Sequence, residues 1–314
     1  MEGMNMWKLF EKSQCTDWEY LKWLQEVGMI TSSYSCSDCN VDMVLGKKNR
    51  CQDGSVWRCK RCKNTRTVRS GSWFEKSKMP LRKIVLITYM WAERFSQAQV
   101  MRECSISSKT VVDWFSFCRE VCTTLMLRYH EPIGGEGKIV EIDESMFNKR
   151  KQNRGSKKKC QQWVFGGVEQ GSNKCFLAKV DRRDAKTLVP LIMKNIRPGT
   201  TIYSDSWKAY DTLGRRGYRH LKVNHSITFK DGECCTNTIE GMWGLVKRMF
   251  PRCNRQKKQF DSYLAEFMFR RRFMQGKDSL ASFVEQIVNL YKPSTEDTDA
   301  EDSETETAAG SDSE

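Results

Sequence analysis

The sequence predicts a multidomain α/β protein with a mixed sheet. Three observations carry that expectation. A pair of Cys-x-x-Cys motifs sits in a short polar stretch, a helical middle segment ends at Pro132-Ile-Gly-Gly-Glu-Gly137, and a strand-like alternation begins just beyond it. At 314 residues the chain can bury a sizeable core and divide into about two or three domains. Its formal net charge is +14, unevenly spread: residues 294–314 hold nine acids and no base, so the rest is more basic still. Such an excess favours a polyanionic partner, above all nucleic acid; the plain alternative is a merely soluble basic protein. The longest apolar run, residues 84–92, is far short of the ~18–20 residues of a membrane span, so no membrane partner is expected. The amino terminus lacks the regions of a signal peptide. The fourteen cysteines are therefore expected as metal ligands and small buried side chains of a reducing compartment, not as disulfides.

Residues 7–30 read as one or two amphipathic helices, with Trp18, Leu21, Leu24 and Val27 near helical spacing. Residues 34–73 are cysteine-rich and short-stranded. From Pro80 to Tyr129 the pattern is helical: Pro80 suits a first turn, Ser96 caps a short helix, and Ser107 or Ser108 caps a longer one past Trp114. The tight connection at 104–107 outlines a helix-turn-helix. Beyond Gly137, residues 138–145, 162–169 and 174–180 read as three antiparallel strands. A helix at 185–196, a strand at 200–204, a helix from Trp207, a strand around 220–229 and a helix from Thr238 follow. Three strands, helix, strand, helix, strand, helix is the order of a ribonuclease-H-like domain. The aromatic-free acidic tail after Pro293 reads as disordered.

Cys36, Cys39, Cys59 and Cys62 form two knuckles separated by nineteen residues. Two sulfurs three positions apart on a tight turn can reach one ion, and two such turns close a tetrahedral zinc site of structural type. A chance pairing of motifs in a cysteine-rich chain is the alternative, with Cys51 confusing the count. Lys47, Lys48, Arg50, Arg58, Lys60, Arg61, Lys63 and Arg66 surround the knuckles and suit phosphate contacts. In the helix-turn-helix, Lys109, Thr110 and Asp113 fall on early exposed turns, where recognition helices meet base edges, while Val111, Val112, Phe115 and Cys118 face the core. A purely structural hairpin fits the same pattern.

Three carboxylates stand out. The alternation of residues 138–145 sets Glu141 and Asp143 on one face and Val140 and Ile142 on the other. Asp205 ends a strand, the usual ligand crevice of an open α/β sheet. Glu240 lies in the first turn of a helix with a buried stripe of Ile239, Met242, Trp243, Val246 and Phe250. Converging, the three acids can hold two Mg²⁺ or Mn²⁺ ions. Bland readings stand beside this one. Asp143 can be an edge-strand charge, with Glu141 or Glu144 the ligand instead; Asp205 can be a helix cap; Glu240 can complete a capping box with Asn237.

At these residues the chain resembles a Merlin-type DDE transposase, a group similar to bacterial insertion-sequence transposases with a zinc-ribbon amino terminus. The likeness spans residues 18–291. It rests on the Cys-x-x-Cys pair, Val140-Glu-Ile-Asp-Glu-Ser145, Trp163-Val-Phe-Gly-Gly-Val168, Tyr203-Ser-Asp-Ser-Trp207 and Val223-Asn-His225. Its most specific piece is Thr236-Asn-Thr-Ile-Glu-Gly-Met-Trp243, followed by Lys247-Arg248. The resemblance implies catalytic acids at Asp143, Asp205 and Glu240 in a DDE integrase-type, ribonuclease-H-like domain. It also implies cutting of transposon ends, joining of the 3′-hydroxyl to target DNA, and a homo-oligomer that brings two ends together in a synaptic complex. Cys235 departs from the histidine that relatives commonly carry there.

The expected organisation is a helical segment (1–33), a zinc ribbon (34–75), a helix-turn-helix (80–130), a ribonuclease-H-like catalytic domain (136–292) and an acidic tail (293–314). Residues 148–159 hold seven bases, Lys149, Arg150, Lys151, Arg154, Lys157, Lys158 and Lys159, and no acid. That loop can grip DNA, direct nuclear import or simply be solvated. Double-stranded DNA, as inverted repeats and target, is the expected partner, with Lys247 and Arg248 among the contacts and the nucleus as location. The rival functions are a transposase-derived DNA-binding regulator without catalysis and a nuclease without strand transfer.

Overall fold

The computed structural model describes residues 1–48, 50–147, 162–205, 208–223, 236–250, 257–276 and 278–291. The chain divides into two compact units, Met1–Trp114 with the segment from Asp278, and Phe115–Lys277. The basic loop residues Lys149, Arg150, Lys151, Arg154, Lys157, Lys158 and Lys159 lie outside the described residues, as do His225, Cys235 and the acidic tail.

The first unit opens with α1 (Met6–Ser13) and α2 (Asp17–Glu26). Thr16 starts α2 in a capping box. Its hydroxyl accepts the Glu19 N–H at 3.3 Å, and its own N–H donates to the Glu19 carboxylate at 2.8 Å. Strands β1 (Met43–Lys47), β2 (Ser55–Cys59) and β3 (Thr65–Thr67) form an antiparallel meander. Its core is no more than Tyr34, Cys36, Met43, Trp57 and Cys59 with a few neighbours, so a further cross-link is needed to hold it. Then come α3 (Leu81–Ala92) and α4 (Gln97–Cys104), the latter capped by a Ser96–Gln99 box. Ser105, with φ of 49°, turns the chain, and the Thr110 N–H donates to Ser107 Oγ at 3.2 Å to start α5 (Ser108–Arg128). The last helix, Ser279–Leu290, packs on α3, with Phe283 4.6 Å from the ring centre of Trp91. Cys104 is buried in this unit, as Cys118 and Cys122 are in the next, each an apolar filler.

The second unit is built on a five-stranded mixed sheet. In chain order come β4 (Ile133–Gly134), β5 (Ile139–Phe147), β6 (Gln162–Glu169), β7 (Cys175–Val180), α6 (Ala185–Asn195), β8 (Ile196–Arg197), β9 (Thr201–Asp205) and β10 (Arg219–Val223). Helices α7 (Asn237–Met249) and α8 (Lys257–Phe269) follow, and α8 runs on into a wide helical turn at Arg270–Met274. The sheet order is β10–β9–β5–β6–β7. β5, β6 and β7 pair antiparallel, whereas β5, β9 and β10 run parallel; β4 and β8 make a separate two-stranded pair.

Strand alternation sorts the two faces. Val140, Ile142, Phe165 and Ile202 meet Leu188 and Ile192 of α6. On the opposite face Val164, Val168 and Leu177 meet Ile239, Met242, Trp243 and Val246 of α7, and Phe260, Leu264 and Phe267 of α8. One expected element differs. Instead of a helix from Trp207, the described chain makes 3-10 turns at Lys208–Tyr210 and Gly214–Arg216, the second closed by Gly217 at φ of 84°. A left-handed glycine ends a helix before it can propagate.

Gly166 sits on β6 directly across from Asp143. A Cβ there would lie 2.8 Å from Leu177 Cδ2 and 2.9 Å from Trp243 Cη2. Gly166→Ala is therefore expected to destabilise by about 1–3 kcal/mol through overpacking. Gly244→Ala, on the exposed side of α7 with nothing near its Cβ, should be neutral or stabilising by up to ~1 kcal/mol. Denaturant melts of both variants check the contrast, and equal melts would refute it.

Candidate functional site

β5 pairs with β9 from Ile139 opposite Thr201 to Glu141 opposite Tyr203. The same register carried two residues further sets Asp143 beside Asp205. From β5 the chain leaves to β6 and β7 on one side, while β9 and β10 lie on the other. Strand order thus reverses between the two strands that carry these acids. Open α/β sheets take their ligands at such a point, outside the carboxyl ends of the strands. β5 is the central strand, so Asp143 is not an edge-strand solubility charge.

The third acid reaches the site through α7. Glu141 is fully buried on the same face as Asp143, where it makes two bonds across the chain. Its Oε2 accepts the Ile239 N–H at 2.9 Å, and its Oε1 accepts from Gln170 Nε2 at 2.6 Å. Ile239 is in the first turn of α7, where N–H groups lack intrahelical partners and the helix dipole favours negative charge. Glu141 therefore pins the start of α7 to the sheet, and Glu240 is the next residue. Glu240 accepts from Thr236 Oγ1 at 3.3 Å. Thr236, not Asn237, occupies the N-cap position and makes no side-chain cap bond, so the capping-box reading of Asn237 and Glu240 does not hold. One turn on, Trp243 Nε1–H donates to Asp143 Oδ2 at 2.9 Å and fixes that carboxylate.

The Asp143 carboxylate feels both of the other acids. Burial raises the Asp143 pKa, and the charges of Asp205 and Glu240 raise it further; the Glu144 N–H and the Trp243 indole pull it back. Glu144 lies on the opposite sheet face, bonded by the Tyr210 hydroxyl. Burial, then the charges of Asp143 and Asp205, push its pKa to about 8, against the lowering effect of Arg183. At this end of the sheet burial first, and mutual repulsion after it, disfavour the ionised carboxylates. Oxygen donors in that condition suit hard divalent cations. The three carboxylates do not bring even one oxygen apiece within 4.8 Å of one another. Ligands flanking two ions about 3.5–4 Å apart are spread more widely than ligands around one.

Among the described residues, the four cysteines alone reach that tightness: the Sγ atoms of Cys36, Cys39, Cys59 and Cys62 all lie within 4.8 Å of one another. Cys36 Sγ and Cys62 Sγ are 3.5 Å apart, close to the ~3.8 Å edge of a tetrahedron with zinc–sulfur bonds of about 2.3 Å. Each knuckle is followed by a left-handed residue, Asn40 (φ 50°) and Lys63 (φ 65°), which closes the turn. The Cys62 N–H, followed by that of Arg61, draws the Cys59 pKa down to about 6. Those donors favour the thiolate, the form that binds metal. Cys51 is no part of the cluster; its thiol donates to the Lys48 carbonyl at 3.0 Å.

Of the other expected contacts, Lys109 is exposed and Thr110 half-buried on the first turn of α5. The Thr110 hydroxyl lies 2.9 Å from Ser107 Oγ and is therefore engaged in the cap. Val111, Phe115 and Cys118 are buried as expected, while Val112 is only half-buried. Lys247 and Arg248 are exposed on the last turn of α7, with Lys247 Nζ 5.6 Å from the centre of the Phe147 ring. Sequence reasoning missed the anchoring role of Glu141 and the Trp243 bond to Asp143. The buried stripe containing Trp243 was the only signal for the second, and nothing local signalled the first.

Two outcomes follow from this geometry. Glu141→Ala leaves the buried Ile239 N–H unpaired, at about 1–3 kcal/mol, and also releases the half-buried Gln170 amide. Glu141→Gln, which keeps an acceptor, should lose less, and equal losses in thermal melts would contradict the anchoring role. For the cysteines, elemental analysis should find one zinc per chain in the wild type. Cys59→Ser should lower that content sharply, whereas Cys51→Ser should leave it unchanged.

Comparison with known proteins bears on the second unit. Residues 132–272 match the family described as ISXO2-like transposase domain, a span that contains Asp143, Asp205 and Glu240. An uncharacterised transposase-like protein of Haemophilus influenzae is 28% identical over 116 residues, 37% of this chain and 94% of that protein. The male abnormal protein mab-31 of Caenorhabditis elegans is 21% identical over 229 residues, 65% of this chain and 53% of that protein. Among solved structures, a chain of the simian T-cell lymphotropic virus intasome in complex with PP2A regulatory subunit B56 gamma is similar at 12% identity and a TM-score of 0.32, covering 59% of this chain and 67% of that one. A chain of the Mos1 transposase paired-end complex with left transposon end is similar at 14% identity and a TM-score of 0.26, covering 69% and 80%. At those scores neither structure carries weight; over residues 132–272 the chain is similar to the insertion-sequence transposases.

Proposed function

We propose that this protein is a Merlin-type DDE transposase that cuts transposon ends and joins the freed 3′-hydroxyl to target DNA. The observation that carries the reading is the convergence of Asp143, Asp205 and Glu240 where the strand order reverses. The sheet order, with β6 antiparallel to an otherwise parallel set, supports a ribonuclease-H-like catalytic domain. The three acids are assigned as ligands of two Mg²⁺ or Mn²⁺ ions. Such ions, when bound, activate the attacking oxygen and stabilise the leaving one. The chain's own part is positional. Glu141 holds the helix that bears Glu240, Trp243 orients Asp143, and the apolar core beneath α7 keeps the carboxylates on a rigid frame.

DNA is held, on this reading, by surfaces apart from the acids. The zinc ribbon and the α4–α5 pair, read as a helix-turn-helix with Lys109 and Thr110 at its tip, engage the transposon end. Lys247 and Arg248, with the bases at positions 149–159, hold backbone phosphates. Synapsis of two ends calls for a homo-oligomer, and a chromosomal substrate places the protein in the nucleus.

A plasmid carrying the gene's flanking DNA, incubated with Mn²⁺, tests the proposal. Wild type is expected to nick at the flanks. Asp143→Asn should lose at least about a hundredfold in rate while keeping its melting temperature and salt-sensitive DNA binding. Binding without cleavage by the wild type would instead favour a transposase-derived DNA-binding regulator.

A further inference from the structure

A cleft of about 560 Å³ opens at the carboxyl ends of β7 and β9, lined by Arg182, Arg183, Asp184, Ala185, Lys208 and Ala209. Three of the six residues are basic. The one acid is occupied by its own helix: Asp184 Oδ1 accepts the Thr187 N–H at 2.9 Å and the Thr187 hydroxyl at 2.7 Å. Arg183 lies over Trp163, its guanidinium carbon 3.8 Å from the ring centre. Stacking fixes the plane of a guanidinium, which then bonds through its in-plane N–H donors, a fork that matches phosphate oxygens. Arg182 and Lys208 are exposed, so the cleft is open to solvent rather than closed around a small anion.

Its position matters as much as its charge. β7 and β9 both run parallel to β5, so their carboxyl ends lie at the same end of the sheet as Asp143 and Asp205. Lys208 follows Asp205 by three residues. A carboxylate-rich centre repels a polyanion unless bases nearby draw the backbone in. We propose that this cleft seats a backbone phosphate of the DNA strand on which the carboxylate site acts. The inference rests on the reading of that site as a DNA-cutting centre, and it assigns Arg182, Arg183 and Lys208 to phosphate binding, a role no motif in the sequence marks.

The test is the salt dependence of duplex DNA binding by the full-length protein, read beside Mn²⁺-dependent nicking. Each phosphate contact given up should make the slope of log K against log salt shallower by about 0.9. Arg182→Ala/Lys208→Ala is expected to show that change and slower nicking, with unchanged zinc content and melting temperature. Arg182→Lys/Lys208→Arg should restore the slope. Lys194→Ala, an exposed base in the last turn of the same helix, serves as the control and should change little. A wild-type slope in the double alanine variant would overturn the inference, as would an equal effect from Lys194→Ala. Absence of nicking by the wild type would fail the catalytic reading alone, because the slope reports on the cleft independently.

Discussion

The second unit depends on a carboxylate buried without exposure in the middle of its sheet. An acid on the central strand costs stability unless its charge is met, and Glu141 meets it with the first turn of α7 and the Gln170 amide. Ninety-eight residues separate Glu141 from Ile239, so the bond closes a long loop and sets where the helix begins on the sheet. That starting point places Glu240. It also sets the rotation of α7, which brings Trp243 one turn later over Gly166 and within bonding distance of Asp143. Remove the anchor and the helix keeps its apolar stripe and the Trp243–Asp143 bond, but its first turn loses its polar tie to the sheet.

The two faces of the sheet divide the labour. Because strand side chains alternate, Asp143 and Glu144 point to opposite sides although they are neighbours. Asp143 joins Asp205 and Glu240 on the α7 side. Glu144 lies under Tyr210 on the α6 side, beside the stacked pair of Arg183 and Trp163. The carboxyl groups at this end of the sheet are thus spread over both faces. Their basic counterweight, Arg182, Arg183 and Lys208, comes from the turns that follow β7 and β9 rather than from the carboxylate-bearing face.

Much of this arrangement was legible in the sequence because it follows local rules. The Ser96 cap, the period-two strands and the apolar stripe of α7 each need only neighbours within a few residues. The cysteine knuckles are equally local, since spacing alone sets which sulfurs can meet. What the sequence withheld depends on partners far along the chain. The alternation of residues 139–143 presents Glu141 and Asp143 as equals, and only Ile239 and Gln170 make one an anchor and leave the other at the site. Helix propensity after Trp207 gave no hint of the 3-10 turns, whose form depends on Gly217 and on the packing of Tyr210 and Leu213. The cleft went unread for the same reason: its bases sit in two turns that become neighbours only when β7 and β9 run parallel at one end of the sheet.

The chain offers two donor sets of opposite chemical character, and their difference restricts what each can hold. Four sulfurs within 4.8 Å, one already drawn toward thiolate by backbone N–H groups, form a closed set for a soft tetrahedral ion, with no ligand position left over for chemistry. The acids are hard, more widely spaced and mutually repelling, and burial keeps the Asp143 pKa raised in their midst. A raised carboxylate pKa measures how poorly the protein alone accommodates the charge, and a divalent cation relieves that stress whereas a proton merely removes it. The thiolates therefore suit a permanent structural ion. The acids suit hard ions held less tightly, with positions open to oxygens from outside the chain.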